Sequence, residues 1–353
     1  MAQDSGAPFL KNRWYVAAWD SEVGRKPLGR TLCGEPVVLY RRLDGSVVAM
    51  RDACPHRLLP LSKGAVEGDN IRCGYHGMMF DGAGRCVEMP TQEQTAANFA
   101  VAGVYPVIER YRFVWVWIGD PTAADAALMP DLWPCEREGW TFDGGVYHLK
   151  ADYRLMIDNL MDLTHETYVH AGSIGQPEIL DSPIEVSSEG DEVFVTRWMR
   201  GIDAPPFWRN ALKRPGPVDR WQICRFIPPG AVMIDVGVAL AGTGAESGDR
   251  SHGVNGYVID FMTPERDGTT WYFWGMARNF DIHDHGFTER FKAQQGGVFS
   301  EDLEILEAQQ RSIDANPDLK LRNFNIDAGG VRSRLVLDRL IEAQTTPAED
   351  RNR

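Results

Sequence analysis

The chain has 353 residues, of which 43% are hydrophobic and 25% charged, with a formal net charge of −13. That length predicts two domains, and the acidic balance argues against general nucleic-acid binding and against attraction to anionic membranes. No apolar run reaches bilayer-spanning length, and Met1 to Asn12 carries no apolar core of a secretory leader, so a cytoplasmic protein is expected.

Asn12 to Trp19 reads as an opening strand. Pro36–Arg41 and Ser46–Arg51 are β-branched runs around Leu43-Asp-Gly45, the pattern of a hairpin. The second run leads into Cys54-Pro-His56, and after sixteen intervening residues comes Cys73-Gly-Tyr-His76. Met78–Phe80 and Cys86–Met89 flank Asp81-Gly-Ala-Gly84 as a second hairpin, and Phe113–Ile118 is a further strand. A small all-β domain over residues 1–120 is expected, with Thr122 to Pro134 as a linker. The second domain, 121–353, reads as α+β. A helix is expected over Asp152–His170, then strands at Val193–Thr196, Trp221–Phe226, Val232–Val236, Gly256–Phe261 and Thr270–Trp274. Helices near Phe287–Asp314 and Val331–Gln344 follow, and the polar stretch from Thr345 to Arg353 is expected to be disordered.

The two cysteine–histidine loops carry the clearest chemistry. Each supplies one thiolate and one imidazole. A Rieske [2Fe–2S] cluster needs two Cys on one iron and two His on the other, so one of each from either loop fits. A zinc finger more often pairs Cys with Cys and His with His. Pro55, Gly74 and Gly77 suit tight loops whose amides approach the sulfides. With 8 histidines in the whole chain, two chance couplings at this spacing are improbable. Cys33, Cys86, Cys135 and Cys224 show no framework spacing and read as reduced thiols.

A second constellation lies in Asp158-Asn159-Leu-Met-Asp162-Leu-Thr-His165-Glu-Thr-Tyr-Val-His170. Asp158, Asp162 and His165 share one face of a straight helix. His170 does not, so the helix must end or distort near Tyr168 for both histidines to hold one metal; Gly172 offers a local end. Two histidines and one carboxylate make the facial triad of non-haem iron(II) oxygenases. Glu301, Asp302, Glu304 and Glu307 on the late helix offer the carboxylate, and spacing does not choose among them. A zinc peptidase reading of His165-Glu166 fails because His170 stands one residue too far. No nucleotide-binding G-x-G-x-x-G follows a strand, so electrons must come from another protein.

Together these motifs resemble the Rieske non-haem iron oxygenases, over nearly the whole chain. Asn159, Asp162, His165 and His170 match the family pattern N-x-x-D-x-x-H-x4-H. The resemblance implies a Rieske domain followed by a helix-grip (START-like) catalytic domain with an antiparallel sheet. It implies cluster ligands Cys54, His56, Cys73 and His76, and iron ligands His165, His170 and Asp302. It also implies a head-to-tail homotrimer, in which Asp162 bridges His165 to the neighbour's His76 and holds the histidine tautomers, with Asn159 beside it in the catalytic motif. The implied partner is a separate NADH reductase with flavin and a ferredoxin-type cluster. The stretches 152–170, 221–226, 271–280 and 299–304 point to the branch of monooxygenases that remove methyl groups from aromatic methoxy acids.

Arg51, Arg57, Lys63 and Arg72 surround the cluster loops and form a possible docking patch for an acidic partner, or ordinary solvated charges. Arg225, Asp235, His252, Asp260 and Trp274 lie in or near the expected sheet, and sequence does not say which of them line the substrate cavity. Ring dihydroxylation, another methoxybenzoate, an electron carrier with an inert second domain, and a zinc-stabilised binding module are the competing readings.

Overall fold

Strand-forming runs pair locally throughout the first third of the chain. The computed structural model describes residues 9–90, 102–170, 179 and 182–345; Gly172 and the tail after Thr345 lie outside them. The chain divides into two compact units, Met1–Met129 with Thr263–Asp267, and Pro130–Met262 with Gly268–Arg353.

The first unit holds β1 (Arg13–Trp19), β2 (Leu28–Leu32), β3 (Glu35–Arg41), β4 (Val47–Arg51), β5 (Ala65–Glu67), β6 (Asn70–Arg72), β7 (Met79–Phe80), β8 (Cys86–Glu88), β9 (Val107–Arg110) and β10 (Phe113–Ile118). They form three small sheets, β1-β10-β9, β2-β3-β4 and β5-β6-β7-β8. Every side chain of β10 is buried, which explains its unbroken apolar run. Both expected hairpins form, at β3–β4 and β7–β8. The stretch read as a linker makes two short turns capped by Asp120 and Asp125, and the Trp14 indole donates to the Asp125 carbonyl at 2.8 Å.

The second unit is built on a seven-stranded antiparallel sheet. Its strands are β11 (Thr141–Leu149), β12 (Ile184–Glu189), β13 (Glu192–Ile202), β14 (Val218–Ile227), β15 (Ala231–Leu240), β16 (Gly253–Arg266) and β17 (Thr269–Arg278), in the order β11-β17-β16-β15-β14-β13-β12. Five helices accompany it among the described residues for which bounds are resolved: α1 (Tyr153–Leu160), α2 (Glu166–Val169), α3 (Pro206–Leu212), α4 (His285–Ala315) and α5 (Ala328–Thr345). α4 buries Phe291, Val298, Phe299, Asp302 and Leu306 along one stripe. Phe299 packs against Tyr272 and Trp274 of the sheet.

The expected single helix over Asp152–His170 is two helices. α1 ends at Leu160, earlier than the distortion expected near Tyr168. The reason is local. The Asp162 carboxylate accepts from the Thr164 amide at 2.7 Å and from its hydroxyl at 2.6 Å, an Asx-type turn that competes with helix continuation. Asp158 consequently does not share a face with His165; it pairs with Arg334 of α5.

Candidate functional site

The two cluster loops of the first unit have the same build. In one, the Cys54 amide donates to the Leu59 carbonyl and the Leu58 amide to the Cys54 carbonyl. In the other, the Cys73 amide donates to the Met78 carbonyl and the Gly77 amide to the Cys73 carbonyl. Gly77 has φ +75°, and a Cβ on Gly74 would stand 2.9 Å from the Lys63 carbonyl oxygen, so both glycines are required by the turn. Both cysteines are 2% exposed, and burial pushes the Cys54 thiol up to about 11. Both imidazoles are exposed, their ring centroids 4.5 Å apart. Two buried thiols beneath two adjacent exposed imidazoles suit a cluster with a sulfur-ligated inner iron and an imidazole-ligated outer one. Arg72 braces the second loop, donating to the Gly77 carbonyl and pairing with Glu67 and Glu88. It is therefore occupied, and of the expected basic patch Arg51, Arg57 and Lys63 are exposed. Cys86 is buried in the same core and its thiol donates to the Glu88 carbonyl.

In the second unit the break between α1 and α2 brings His165 and His170 together with Asp302 of α4. One ligand atom from each lies within 4.8 Å of the others. His165 Nε2 is 3.5 Å, and His170 Nε2 3.2 Å, from Asp302 Oδ1. The outer ring nitrogens are held as well. His165 Nδ1 is 2.6 Å from the Asp162 backbone carbonyl oxygen, and His170 Nδ1 is 2.6 Å from Glu301 Oε2. Both partners are acceptors, so each Nδ1 carries a proton and each Nε2 faces the site as the atom a metal would bind. Asn159 Nδ2 donates to Asp302 Oδ1 at 3.1 Å. The donor set and its orientation fit a divalent iron with open coordination positions.

The Asp162 result corrects an expectation. Its backbone carbonyl, rather than its carboxylate, sets the His165 tautomer, because the carboxylate is engaged in closing the turn onto Thr164. Among the four acidic candidates, Asp302 is buried and faces both histidines, Glu301 supports His170, Glu304 is exposed, and Glu307 accepts from the Lys150 amide.

Burial works to raise the Asp302 carboxyl, but the hydrogen bonds and charges of the two histidines prevail and hold it at about 2. Burial works to lower His170, yet Asp302 and then Glu301 push it up to about 9. His165 is raised by Asp302 against the same burial. In the metal-free protein this cluster is thus an ion pair, and a metal must displace protons to enter.

The site opens into a cavity of about 630 Å³. Ile234, Val236, Val258, Phe291 and Val298 give it apolar walls. None of the five sheet residues singled out from sequence lines it. Arg225 pairs with Glu192, Asp235 with Arg250, and Asp260 accepts from the Tyr272 hydroxyl, while Trp274 packs on Phe299 and His252 is exposed. The polar residues that do line it include Glu166, Arg220 and Gln222. The Gln222 amide donates to both Glu166 oxygens, at 2.7 and 2.9 Å, and Arg197 donates to the Leu163 carbonyl at 2.8 Å. Arg197, Arg220 and Gln222 are legible in the sequence only as polar interruptions on the core-facing side of β13 and β14.

A cluster domain with a Cys2His2 tip, joined in one chain to an open two-histidine, one-carboxylate site in a sheet-and-helix grip, defines a Rieske-type monooxygenase with a [2Fe–2S] cluster and a mononuclear non-haem iron. Residues 13–106 match the Rieske [2Fe-2S] domain, and residues 149–343 match the vanillate O-demethylase oxygenase C-terminal domain. The chain belongs to the vanillate O-demethylase oxygenase family of Rieske oxygenases. It is 50% identical over 346 residues to the vanillate O-demethylase oxygenase subunit of Pseudomonas sp. (strain HR199 / DSM 7063), covering 97% of each chain. It is similar to the crystal structure of dicamba monooxygenase bound to 3,6-dichlorosalicylic acid, with TM-score 0.89, 31% identity, and coverage of 97% of this chain and 100% of that one. A structure of dicamba monooxygenase with non-haem iron and dicamba superposes with TM-score 0.84 at 31% identity, covering 96% and 99%. Among the described residues no helix is long and apolar enough to cross a membrane.

Proposed function

We propose that this chain is the terminal oxygenase of a vanillate O-demethylase, which uses O2 and electrons from NADH to convert vanillate to protocatechuate and formaldehyde. One observation carries the reading. An oriented His165–His170–Asp302 face opens into a largely apolar cavity in a chain that is 50% identical to a vanillate O-demethylase oxygenase subunit.

When bound, the cluster supplies electrons singly and the iron supplies O2 activation. The chain's own residues prepare the site. Cys54, His56, Cys73 and His76 hold the cluster, and His165, His170 and Asp302 hold the iron. Glu301 and the Asp162 carbonyl keep the protons on Nδ1 of the two rings, and Asn159 steadies the Asp302 oxygen. The apolar walls exclude water from the methoxy group. One oxygen atom inserted into its C–H bond gives a hemiacetal, which collapses to the phenol and formaldehyde; the second oxygen leaves as water, with NADH as reductant.

The electrons come from a separate flavin/ferredoxin-type NADH reductase in the cytoplasm, docking on the basic flank of the cluster loops where Arg51, Arg57 and Lys63 are exposed. The working unit is a head-to-tail homotrimer, with residues 1–120 as the electron-delivering domain and 121–353 as the catalytic domain. Asp162 links His165 to the neighbour's His76 through two parts of one residue: its backbone carbonyl holds His165 Nδ1, its Oδ1 closes the turn on Thr164, and Oδ2 is left for the neighbour's His76. Asp162→Asn keeps an acceptor for the turn and removes the bridging carboxylate. It should retain both metals and a reducible cluster but lose product formation, and rapid-mixing reoxidation of the cluster coupled to normal product would refute this.

The reading is tested by incubating the protein with reductase, NADH and vanillate in air. Formaldehyde, protocatechuate and consumed NADH should appear in near-equal amounts. NADH and O2 consumed with little product would mean that another methoxybenzoate or aromatic acid is the substrate.

A further inference from the structure

We infer that Glu166 accepts the ring hydroxyl of the aromatic substrate, the group beside the methoxy, an inference that rests on the demethylase reading. Four carboxylates line the cavity among the described residues, those of Asp162, Glu166, Asp281 and Asp302. Three are committed elsewhere. Asp302 faces the two histidines, the Asp162 carboxylate closes onto Thr164, and Asp281 pairs with Lys213 at 2.6 Å. Glu166 is 6% exposed, and the Gln222 amide is the donor its side chain meets among the described residues.

That contact leaves acceptor capacity. A carboxylate offers about four lone-pair positions, and one amide nitrogen brings two N–H groups at most. The Gln222 nitrogen stands 2.7 and 2.9 Å from the two Glu166 oxygens. Both oxygens accept from it, so the group is presented to the cavity as an acceptor. Its orientation is fixed from behind. The Gln222 carbonyl accepts from Arg197 Nη1 at 3.4 Å, and the same nitrogen donates to the Leu163 carbonyl at 2.8 Å. Arg197 is 2% exposed, and it supplies the buried anion with a countercharge through Gln222. A buried acceptor held in this way favours a ligand that brings a donor.

The backbone ties Glu166 to both iron-site histidines. It follows His165 directly, with the two Cα atoms about 3.8 Å apart, and its carbonyl accepts the His170 amide at 3.1 Å. All three residues line the one cavity. In vanillate the hydroxyl and the methoxy stand on adjacent ring carbons. A hydroxyl bonded to Glu166 therefore keeps the methoxy on the histidine side of the cavity. The carboxylate of vanillate lies across the ring from the hydroxyl, where the Glu166 charge repels it least. Glu166 is thus a specificity residue, and it selects methoxy acids with a neighbouring hydroxyl over those without one.

The test uses the iron- and cluster-loaded protein without reductant, titrated by calorimetry with vanillate and with 3-methoxybenzoate, which lacks the hydroxyl. The wild type should bind vanillate at least about 10-fold more tightly, and equal affinities overturn the proposal. In Glu166→Leu the ratio of the two affinities should fall about 10- to 100-fold, because a hydrogen bond to a buried charge is lost. In Glu166→Gln, which keeps a carbonyl acceptor and loses the charge, the ratio should fall about 5-fold. An unchanged ratio, including equal weakening of both ligands, overturns the proposal, since a structural role in placing the histidines would not distinguish them. If Glu166→Leu does not fold, judged by its iron content and the visible absorption of the cluster, the ratio in Glu166→Gln decides alone. Wild-type protein that binds vanillate yet releases no formaldehyde overturns the demethylase reading and leaves this ratio as the test of Glu166.

Discussion

The two metal sites are built by opposite strategies. The cluster tip takes its four ligands from two loops joined by one short sheet, with thiols buried and imidazoles exposed. The iron site joins a broken helix to a long helix far along the chain; His170 and its partner Glu301 are 131 positions apart. The first can be assembled by local turns alone. The second exists only when the seven-stranded sheet and α4 are packed. A tip that hands over electrons must face outward, and a site that attacks a C–H bond must exclude water, so each strategy suits its task.

If the sites are built independently, each can be broken alone. The largest effect is expected from Asp302→Ala. It should remove iron and abolish turnover, a loss well beyond the roughly 100-fold of an outer-shell change, while the visible spectrum of the cluster persists. Cys73→Ser is the mirror experiment. It should erase the cluster spectrum and, because Cys73 lies in the core of its unit, lower the melting temperature there, with the iron retained by metal analysis. Glu301→Gln sharpens the contrast further. The site is expected to form but to hold iron about 10- to 100-fold more weakly, measured by competition with a chelator.

The last contrast is in pH, and it bears on the iron site alone. In metal-free protein His170 is raised to about 9 by Asp302 and Glu301 in spite of burial. The stability it contributes is fully present below its ordinary value of 6.5 and is lost as pH rises through about 9. Asp302 has the opposite sign. Its contribution is present above the ordinary value of 3.8 and is lost as pH falls through about 2. Iron must displace the His170 proton and, where it is protonated, that of His165, so its affinity should rise at least about tenfold per pH unit below about 9 and level off above. Chelator titrations across pH 6–10 would measure the slope, and a flat profile would contradict it.

The contrast also sets what could be read from sequence. Both cluster loops and the hairpins that deliver them are local patterns, and Cys54, His56, Cys73 and His76 stand out by spacing. The iron site was half legible. The two histidines were visible, but the helix break was misplaced because the Asp162–Thr164 turn outcompetes a pattern that otherwise reads as helix. Asp302 emerged from family resemblance, since four neighbouring carboxylates look alike until packing buries one. The cavity was not legible. Arg220 and Gln222 differ from Arg225 and Asp235 only by which side of a strand they occupy, and neighbouring polar residues on both faces blur that alternation.

The most direct test of two separately built centres is iron and acid-labile sulfide analysis of the purified wild type and of Asp302→Ala. The account predicts about three irons and two sulfides per wild-type chain, and about two of each in the variant. Zinc in place of the third metal, or a variant that loses cluster iron together with the mononuclear iron, would contradict it.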